Sequence, residues 1–433
     1  MSAAIAVIGA GWGDEGKGLM IDALARPGSV VVRANGGAQA GHTVQRPNGE
    51  RHVFHHVGSG AFRGAATFLS RFFIHNPLLL ETEFADLAVL GIESEILADD
   101  QGQVTTPWDM MINQIAEEAR DAARHGSCGL GINETLRRGV DERLVIRVRD
   151  LWQPAQLKRL AEQVQQEWVP SRLLALGLSP GAVWRQRLAS PGVMESFLES
   201  AARFSACVRP DDGTRATAAA AQGLLLFEGA QGLLLDQDHE FFPHVTPSKT
   251  GLANPSELAR EWGVEHLRAI YVTRAYATRH GAGPFPREVR GLAYPDATNV
   301  PNAWQGSLRF GALDLDLLAK SISDDQPCTN LAVEKTLAMT CLDQVGDIVN
   351  WWQAGQRQAG SKASLMAAAQ SATAVPLIAT SHGPCREDVS LSSRSAATIG
   401  TRLTGGGIAG SRPDGPGMTW PGAERPLTDV RRR

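Results

Sequence analysis

The residues best suited to chemistry stand close to the amino end. Gly9, Gly11, Gly13, Gly16 and Gly18 alternate with Trp12, Asp14, Glu15 and Lys17. Glycine lets a backbone approach an anion, and the first N–H groups of a helix point at it. The spacing Gly11-x-x-x-x-Gly16-Lys17 matches the start of a P-loop, but Gly18 stands where a P-loop has the Ser or Thr that holds magnesium. The nearest replacement ligand is Asp14, inside the loop itself. A carboxylate among phosphates is repelled unless it binds a cation or takes a proton from a substrate. A solvated Asp and Lys at a plain strand-turn-helix junction is the bland alternative. The glycines, the lysine and the strand-helix context together favour a phosphate loop.

Elements must hold that loop in place. The apolar run Ile5-Ala6-Val7-Ile8 reads as a buried strand, and a helical pattern begins at Leu19. Ser29 to Ala34 reads as a second strand, which makes a β-α-β unit and implies a parallel sheet. It ends in Asn35-Gly36-Gly37-Ala38-Gln39-Ala40-Gly41-His42-Thr43. Ligands of such sheets gather at the carboxyl ends of strands, so the two glycine turns should be neighbours, with His42 facing Asp14 across a nucleotide.

Further along, His52, His55 and His56 alternate in a stretch that reads as a hairpin; no nearby carboxylate or Cys accompanies them, so a structural role is expected. Pro77 to Gly91 and Trp108 to Arg124 read as amphipathic helices. Residues 150–222 read as a peripheral helical insertion without chemistry. Leu224 to Glu228 is a buried strand, and the Pro- and Gly-dense stretch Ala275 to Pro286 is expected to be scaffold. The expected class is α/β: a large, mostly parallel central sheet with a P-loop-like nucleotide site, helices on both faces and a helical insertion. It forms a single domain over 1–404, with an irregular Gly/Pro/Arg-rich tail over 405–433.

With 433 residues, 43% of them hydrophobic, the chain can bury a sizeable core. A net charge of -4 gives no electrostatic case for nucleic acid. The five cysteines are scattered, with no CxxC pair, so neither a disulfide framework nor a zinc site is expected. The absence of a leader pattern or a long apolar stretch points to a cytoplasmic protein with no membrane partner.

The loop Gly11-Trp12-Gly13-Asp14-Glu15-Gly16-Lys17-Gly18 resembles the signature of adenylosuccinate synthetases, and the likeness recurs in blocks along most of the chain. That family joins L-aspartate to the 6-position of IMP and spends GTP; some relatives, phage enzymes among them, accept guanine (deoxy)nucleotides. The resemblance implies a C–N ligase of purine biosynthesis using GTP and Mg²⁺. It implies Asp14 as general base and His42 as general acid, with Lys17 and Gln231 completing the catalytic set. Asp14 and the Gly41 carbonyl would hold the metal. Glu15, Gly16, Lys17, Gln39, Ala40, Gly41 and His42 would contact the nucleoside monophosphate. Gly13, Gly16, Lys17, Gly18, Gly41, His42 and Thr43 would contact the triphosphate.

Gly126 to Thr135 resembles the family stretch whose second Thr binds the monophosphate. Cys128 stands there, with Ser127 before it; a thiol is a weak donor, so Ser127 is the expected phosphate ligand. The family's Arg-Arg-Gly is present as Arg137-Arg138-Gly139. Its first arginine reaches across a homodimer to the partner's monophosphate, which makes Arg137 the candidate. Phe227 to Gly232 and Pro243 to Ser248 also match, implying Gln231 on the purine 6-oxo edge and Thr246 on the monophosphate.

Departures follow. The family's arginine-rich loop for aspartate survives only as Arg309, so Arg309, Gln305, Asn302 and backbone amides are left to hold the dianionic amino acid. Arg309 would also touch the triphosphate nucleotide. In Thr340-Cys341-Leu342-Asp343, Asp343 keeps the carboxylate that accepts from guanine, while Cys341 replaces a lysine that packs over the base. Ser381, His382 and Gly383 would wrap the same base. IMP leads as acceptor, with dGMP or GMP as the alternative and GTP, ATP or dATP as donor. A nucleotide-binding regulator without turnover and a simple P-loop NTPase are the competing classes.

Overall fold

The computed structural model describes residues 2–121, 127–296, 299 and 306–392. Asn302, Gln305 and the tail over 405–433 lie outside them. Within the described residues, ten strands make one sheet: β1 (Ala3–Gly9), β2 (Val30–Arg33), β3 (Ala66–Leu69), β4 (Ile96–Ala98), β5 (Val208–Pro210), β6 (Leu225–Glu228), β7 (His266–Arg274), β8 (Ala332–Thr340), β9 (Leu377–Ser381) and β10 (Val389–Leu391). Their spatial order is β10-β9-β8-β7-β1-β6-β2-β3-β4-β5. All neighbours run parallel except β10, which pairs antiparallel with β9 at one edge.

The anticipated β-α-β unit is present with one difference. Helix α1 (Lys17–Leu24) connects β1 to β2, but β6 lies between those strands: Leu225 is in register with both Ala4 and Val30. Three chain segments distant in sequence therefore end side by side at the middle of the sheet.

Both faces of the central strands are covered, so their sequences read as apolar runs rather than alternating, with charge only where β2 and β6 end, at Arg33 and Glu228. On one face Ala6, Ile8 and Val32 pack with Ala216, Leu258 and Leu318 from helices. On the other, Val7 and Val31 meet Met20 and Ile21 of α1. Each fully buried side chain of this kind contributes ~1.5–3 kcal/mol.

The segment over 150–222 is mostly helical, yet it is built into the fold. Val208–Pro210 is the edge strand β5, and Leu157 and Phe197 share an apolar core with Leu80 of α2 (Pro77–Val89) and Trp108 of α3 (Pro107–Arg120).

His42–Gln45 and Arg51–Phe54 pair as an antiparallel hairpin. A carboxylate does accompany the three histidines, contrary to the sequence reading. Glu83, on α2, accepts from the backbone N–H groups of His55 and His56 at 2.8 and 2.7 Å and lies 3.3 Å from His56 Nδ1. Burial opposes ionisation of Glu83, but these hydrogen bonds outweigh it and hold the carboxyl well below its usual range. The role is structural: among the described residues no group of three or more His, Cys, Asp or Glu side chains could hold a metal.

Candidate active site

The first wall is the turn after β1. Glu15 folds back across it: Oε1 accepts from the N–H groups of Gly11 and Gly13 at 3.0 and 2.7 Å, and Oε2 accepts from Lys17 Nζ at 2.7 Å. The Glu15 side chain, expected on the nucleotide, is thus the internal brace of the loop, and Lys17 is docked against it. Gly13, Asp14 and Gly16 all adopt left-handed backbone, with φ of 93°, 62° and 94°. For a residue with a Cβ this costs ~1–2 kcal/mol, so Asp14 must be held there. Arg274 Nε donates to the Asp14 carbonyl, and His280 Nε2 lies 3.7 Å from Asp14 Oδ2. The carboxylate retains 28% exposure, facing the cleft. Loss of solvation raises its pKa above the usual carboxylate value, against the pull of His280, Arg274 and Lys17.

The second wall is the turn after β2 and the hairpin that begins at His42. His42 Nδ1 lies 2.6 Å from Glu228 Oε1 and 3.1 Å from Arg33 Nη1, and Ser59 N–H donates to Glu228 Oε2 at 3.1 Å. A carboxylate only accepts, so the short contact assigns the proton to Nδ1. His42 Nε2 is then a bare, buried acceptor with no partner among the described residues. Burial and the neighbouring Arg33 outweigh Glu228 and push the His42 pKa down to about 4, so the ring is neutral near pH 7. The same packing explains Gly18. A Cβ there would lie 3.0 Å from Ser59 Oγ and 3.1 Å from His42 Cβ, so the hydroxyl side chain of a P-loop would be crowded and its neighbours would have to give by a few tenths of an ångström.

The third wall is the turn after β6. Gln231 is left-handed, with φ of 57°, and its Oε1 is buried with no partner among the described residues. A Cβ on Gly13 would lie 3.7 Å from Gln231 Cα, and one on Gly36 would lie 3.1 Å from Gln231 Oε1. Gln231 therefore sits between the two glycine turns, and those glycines admit it. Asn35 fixes the junction, its side chain accepting from Ala230 N–H at 2.8 Å and donating to Ala230 O at 3.1 Å. Ser248 Oγ accepts from Gly36 N–H at 3.2 Å, which brings the Thr246 turn to the same place. Gln39 Oε1 is also buried and unpaired among the described residues. Ala40 N–H donates to Gly37 O at 3.1 Å, and a Cβ on Gly41 would meet Val53 at 2.8 Å. Thr43 follows His42 on the hairpin, its carbonyl 3.2 Å from where a Cβ of Gly18 would stand.

The remaining candidates divide. Thr340 Oγ1 donates to Glu15 O at 2.7 Å, and Leu342 N–H donates to Ser381 O at 3.1 Å. The Asp343 turn and the Ser381-His382-Gly383 turn thus stand together near the phosphate loop, with Asp343 and His382 exposed. Ser127 Oγ accepts from Asn113 Nδ2 at 3.0 Å, while burial raises the Cys128 thiol to about 11 and keeps it neutral. On α4 (Ile132–Arg138) the two arginines part: Arg138 is buried on Asp109 at 2.9 Å, whereas Arg137 is exposed with no hydrogen bond or ion pair among the described residues. The structure does not leave Arg309 free. Its Nε and Nη2 pair with Glu288 at 2.9 and 2.5 Å, and Nη1 donates to the carbonyls of Gly281 and Gly283 at 3.2 and 2.9 Å.

Sequence reasoning assigned no role to Glu228, Arg33, Arg274 or His280. A carboxylate closing a buried apolar strand was a signal for Glu228. The stretch Ala275–Pro286 is not scaffold alone, because His280 reaches Asp14.

A family model described as adenylosuccinate synthetase matches residues 6–384. The adenylosuccinate synthetases of Nostoc punctiforme and Synechococcus elongatus are 35% identical over 295 residues and 36% identical over 292. Each alignment covers 66% of this chain and 63% of the relative, less than two thirds of its length. The fold is similar to that of fully ligated adenylosuccinate synthetase from Plasmodium falciparum, with a TM-score of 0.69 at 18% identity, covering 90% of this chain and 99% of that one. It is also similar to the succinoaminodeoxyadenylate synthetase of cyanophage S-2L, bound to dGMP and to dATP as an energy donor: TM-score 0.54, 15% identity, coverage 93% and 99%. At such identities the two structures speak for the fold alone. The family match runs through the turns after β1, β2 and β6 that build the site, and on it the chain belongs to the adenylosuccinate synthetase family.

Proposed function

We propose that the protein is a C–N ligase that joins L-aspartate to C6 of a 6-oxopurine nucleoside monophosphate, IMP in first place, using GTP and Mg²⁺. The observation that carries this reading is that two buried groups with no partner among the described residues, Nε2 of His42 and the amide oxygen of Gln231, stand on the same glycine turns as the part-exposed Asp14 carboxylate. A P-loop hydrolase has no use for a carboxylate and an amide directed at the same base edge. Gln231 orients the purine, and Asp14 takes the N1 proton. The 6-oxygen then attacks the γ-phosphorus, and the bond to the leaving diphosphate breaks. His42, fixed by Glu228, meets the phosphoryl oxygens, whose charge favours protonation at Nε2. The amine of aspartate next attacks C6, and phosphate departs with the former 6-oxygen. Positioning and electrostatics do most of this work.

The residues fit a magnesium ion. Asp14 and the Gly41 carbonyl are hard oxygen donors, and so short a protein set suits an ion that keeps waters and phosphate ligands. When bound, the ion neutralises phosphate charge. Its positive charge also lowers the Asp14 pKa that burial raises.

The second reading, a guanine (deoxy)nucleotide acceptor, is favoured by the rebuilt monophosphate side. Cys128 is a neutral, half-buried thiol, and Glu134 is committed to Arg172 at 2.6 Å. Steady-state phosphate release with IMP, GMP and dGMP, each with aspartate and GTP, decides between the readings. Release that requires both the monophosphate and the amino acid is expected. A preference for dGMP over IMP of about tenfold or more, the cost of leaving a buried pocket group without the 2-amino partner that IMP lacks, would move the acceptor and leave the mechanism standing. Binding without turnover would identify a regulator.

The exposed Arg137 supports assembly as a homodimer in which it completes the partner's monophosphate site. Mixing Arg137→Leu protein with Asp14→Ala protein is expected to restore activity, because one hybrid site then holds both groups. No recovery, in a mixture shown to exchange subunits, would place the whole site within one chain.

A further inference from the structure

Asp14 is gripped from two sides by one small network. Arg274, at the end of β7, donates Nε to the Asp14 carbonyl and Nη2 to Asp296 Oδ2 at 3.2 Å. Asp296 in turn holds Asn299, accepting from its backbone N–H and from its Nδ2, both at 2.9 Å. Asn299 Oδ1 lies 2.9 Å from His280 Nε2, and that nitrogen lies 3.7 Å from Asp14 Oδ2. The ring closes on the residue where it began: Asp14, Arg274, Asp296, Asn299, His280.

Donor and acceptor roles around the ring are fixed without reference to any titration. The Asp296 carboxylate accepts, so the Asn299 amide nitrogen must face it and the amide oxygen must face His280. The oxygen cannot donate, so His280 Nε2 carries a hydrogen, which it donates to Asn299 at 2.9 Å while the Asp14 carboxylate lies at ion-pair distance, 3.7 Å. Backbone and side chain of Asp14 are thus restrained by separate arms. This is what a residue in left-handed backbone, with a side chain that must face a substrate, requires.

We propose that His280 is a positioning residue for the Asp14 carboxylate, oriented for that task by Asn299 through Asp296. The inference rests on the reading of Asp14 as the base. It adds a specific demand: turnover depends on an imidazole that touches no reacting atom and lies in a stretch without any other chemical role. A misplacement of about 1 Å costs on the order of 100-fold in rate, so loss of the tether has a measurable effect.

The test compares His280→Ala, His280→Gln, Asn299→Ala and the double Ala variant with wild type and Asp14→Ala. The readouts are kcat, the KM values of monophosphate and triphosphate, and Tm. His280→Ala is expected to lower kcat by about tenfold to 100-fold, with the triphosphate KM within about twofold and Tm nearly unchanged. His280→Gln retains an N–H donor in reach of Asn299 and should recover most of the rate. The double variant should be no slower than His280→Ala, because the two residues act as one unit. A kcat for His280→Ala within about twofold of wild type overturns the inference, as do strictly additive effects or a loss of Tm that accounts for the loss of rate. Asp14→Ala separates the two levels. If it abolishes turnover and His280→Ala leaves kcat within about twofold of wild type, only the positioning role fails. If Asp14→Ala remains active, the proposed mechanism itself fails.

Discussion

Asp14→Ala is expected to abolish turnover while the protein remains folded. A general base alone is worth ~10²–10⁴ in rate, and in the proposed mechanism the same carboxylate also serves the metal, so the loss should exceed that range. The fold should survive because Asp14 belongs to a turn whose shape is set by other residues: Glu15 braces the backbone and Arg274 holds the carbonyl. Alanine in left-handed backbone is unfavourable by ~1–2 kcal/mol, which sets the scale of any drop in Tm. Asp14→Asn is the sharper control, since Asn tolerates positive φ and preserves shape without the charge. Monophosphate-dependent phosphate release and a melting curve check both. Activity within about tenfold of wild type, worth only ~1.4 kcal/mol of barrier, would remove Asp14 from the mechanism.

The second large effect is expected at Glu228. Its side chain has no solvent exposure and is shared by His42, Arg33 and Ser59. Burial alone would raise its pKa, but His42 and Arg33 hold it down at about 2, so it is ionised throughout the working range. Glu228→Ala leaves the Arg33 guanidinium buried without its counter-ion and His42 without the acceptor that fixes its tautomer. Breaking a buried pair in this way costs ~3–5 kcal/mol, a large part of the ~5–15 kcal/mol by which a domain is stable. The proton on His42 is then no longer confined to Nδ1, and turnover should fall along with stability. Urea unfolding and kcat for Glu228→Ala and Glu228→Gln check this, with Gln expected to retain more of the stability because it keeps an acceptor. A cost below about 1 kcal/mol for the Ala variant would show that the charges are not what holds this part of the site. The pH response has a definite sign. His42 is depressed from 6.5 to about 4, so the stability gained by burying its neutral ring is complete above pH 6.5 and is lost as pH falls through about 4.

Much of this was legible in the chain. The glycine turn after β1, the parallel sheet and the apolar strands follow from local patterns, because glycine density and two-sided burial leave marks within a few residues of one another. The network behind those marks was not. Glu83 lies on a helix well downstream of the histidines it serves, and Glu228 reaches His42 across 186 residues of sequence. His280 stood in a stretch whose proline and glycine content reads as loop, and nothing local says that the loop returns to Asp14. Arg309 shows the opposite failure: it was chosen as the last arginine of its segment, yet Glu288 and two carbonyls already occupy it. Spacing reveals a side chain's chemistry but not the partners that take up its hydrogen-bonding capacity.

The placement of β6 between β1 and β2 has a consequence for how the chain reaches this state. The first two strands, which leave the ribosome early, cannot complete their pairing with each other. Each must wait for Leu225–Glu228, and β1 must also wait for His266–Arg274 on its other side. Until then their hydrogen-bonding edges are open and the phosphate turn has only part of its enclosure. Closing a loop of this length is slow, and unpaired apolar edges are prone to associate wrongly in the interval. Synthesis of an amino-terminal fragment that stops before β6 yields two strands without their common neighbour, His42 without its carboxylate and no Gln231. The centre of this protein is therefore assembled late, from its oldest residues, when the middle of the chain arrives.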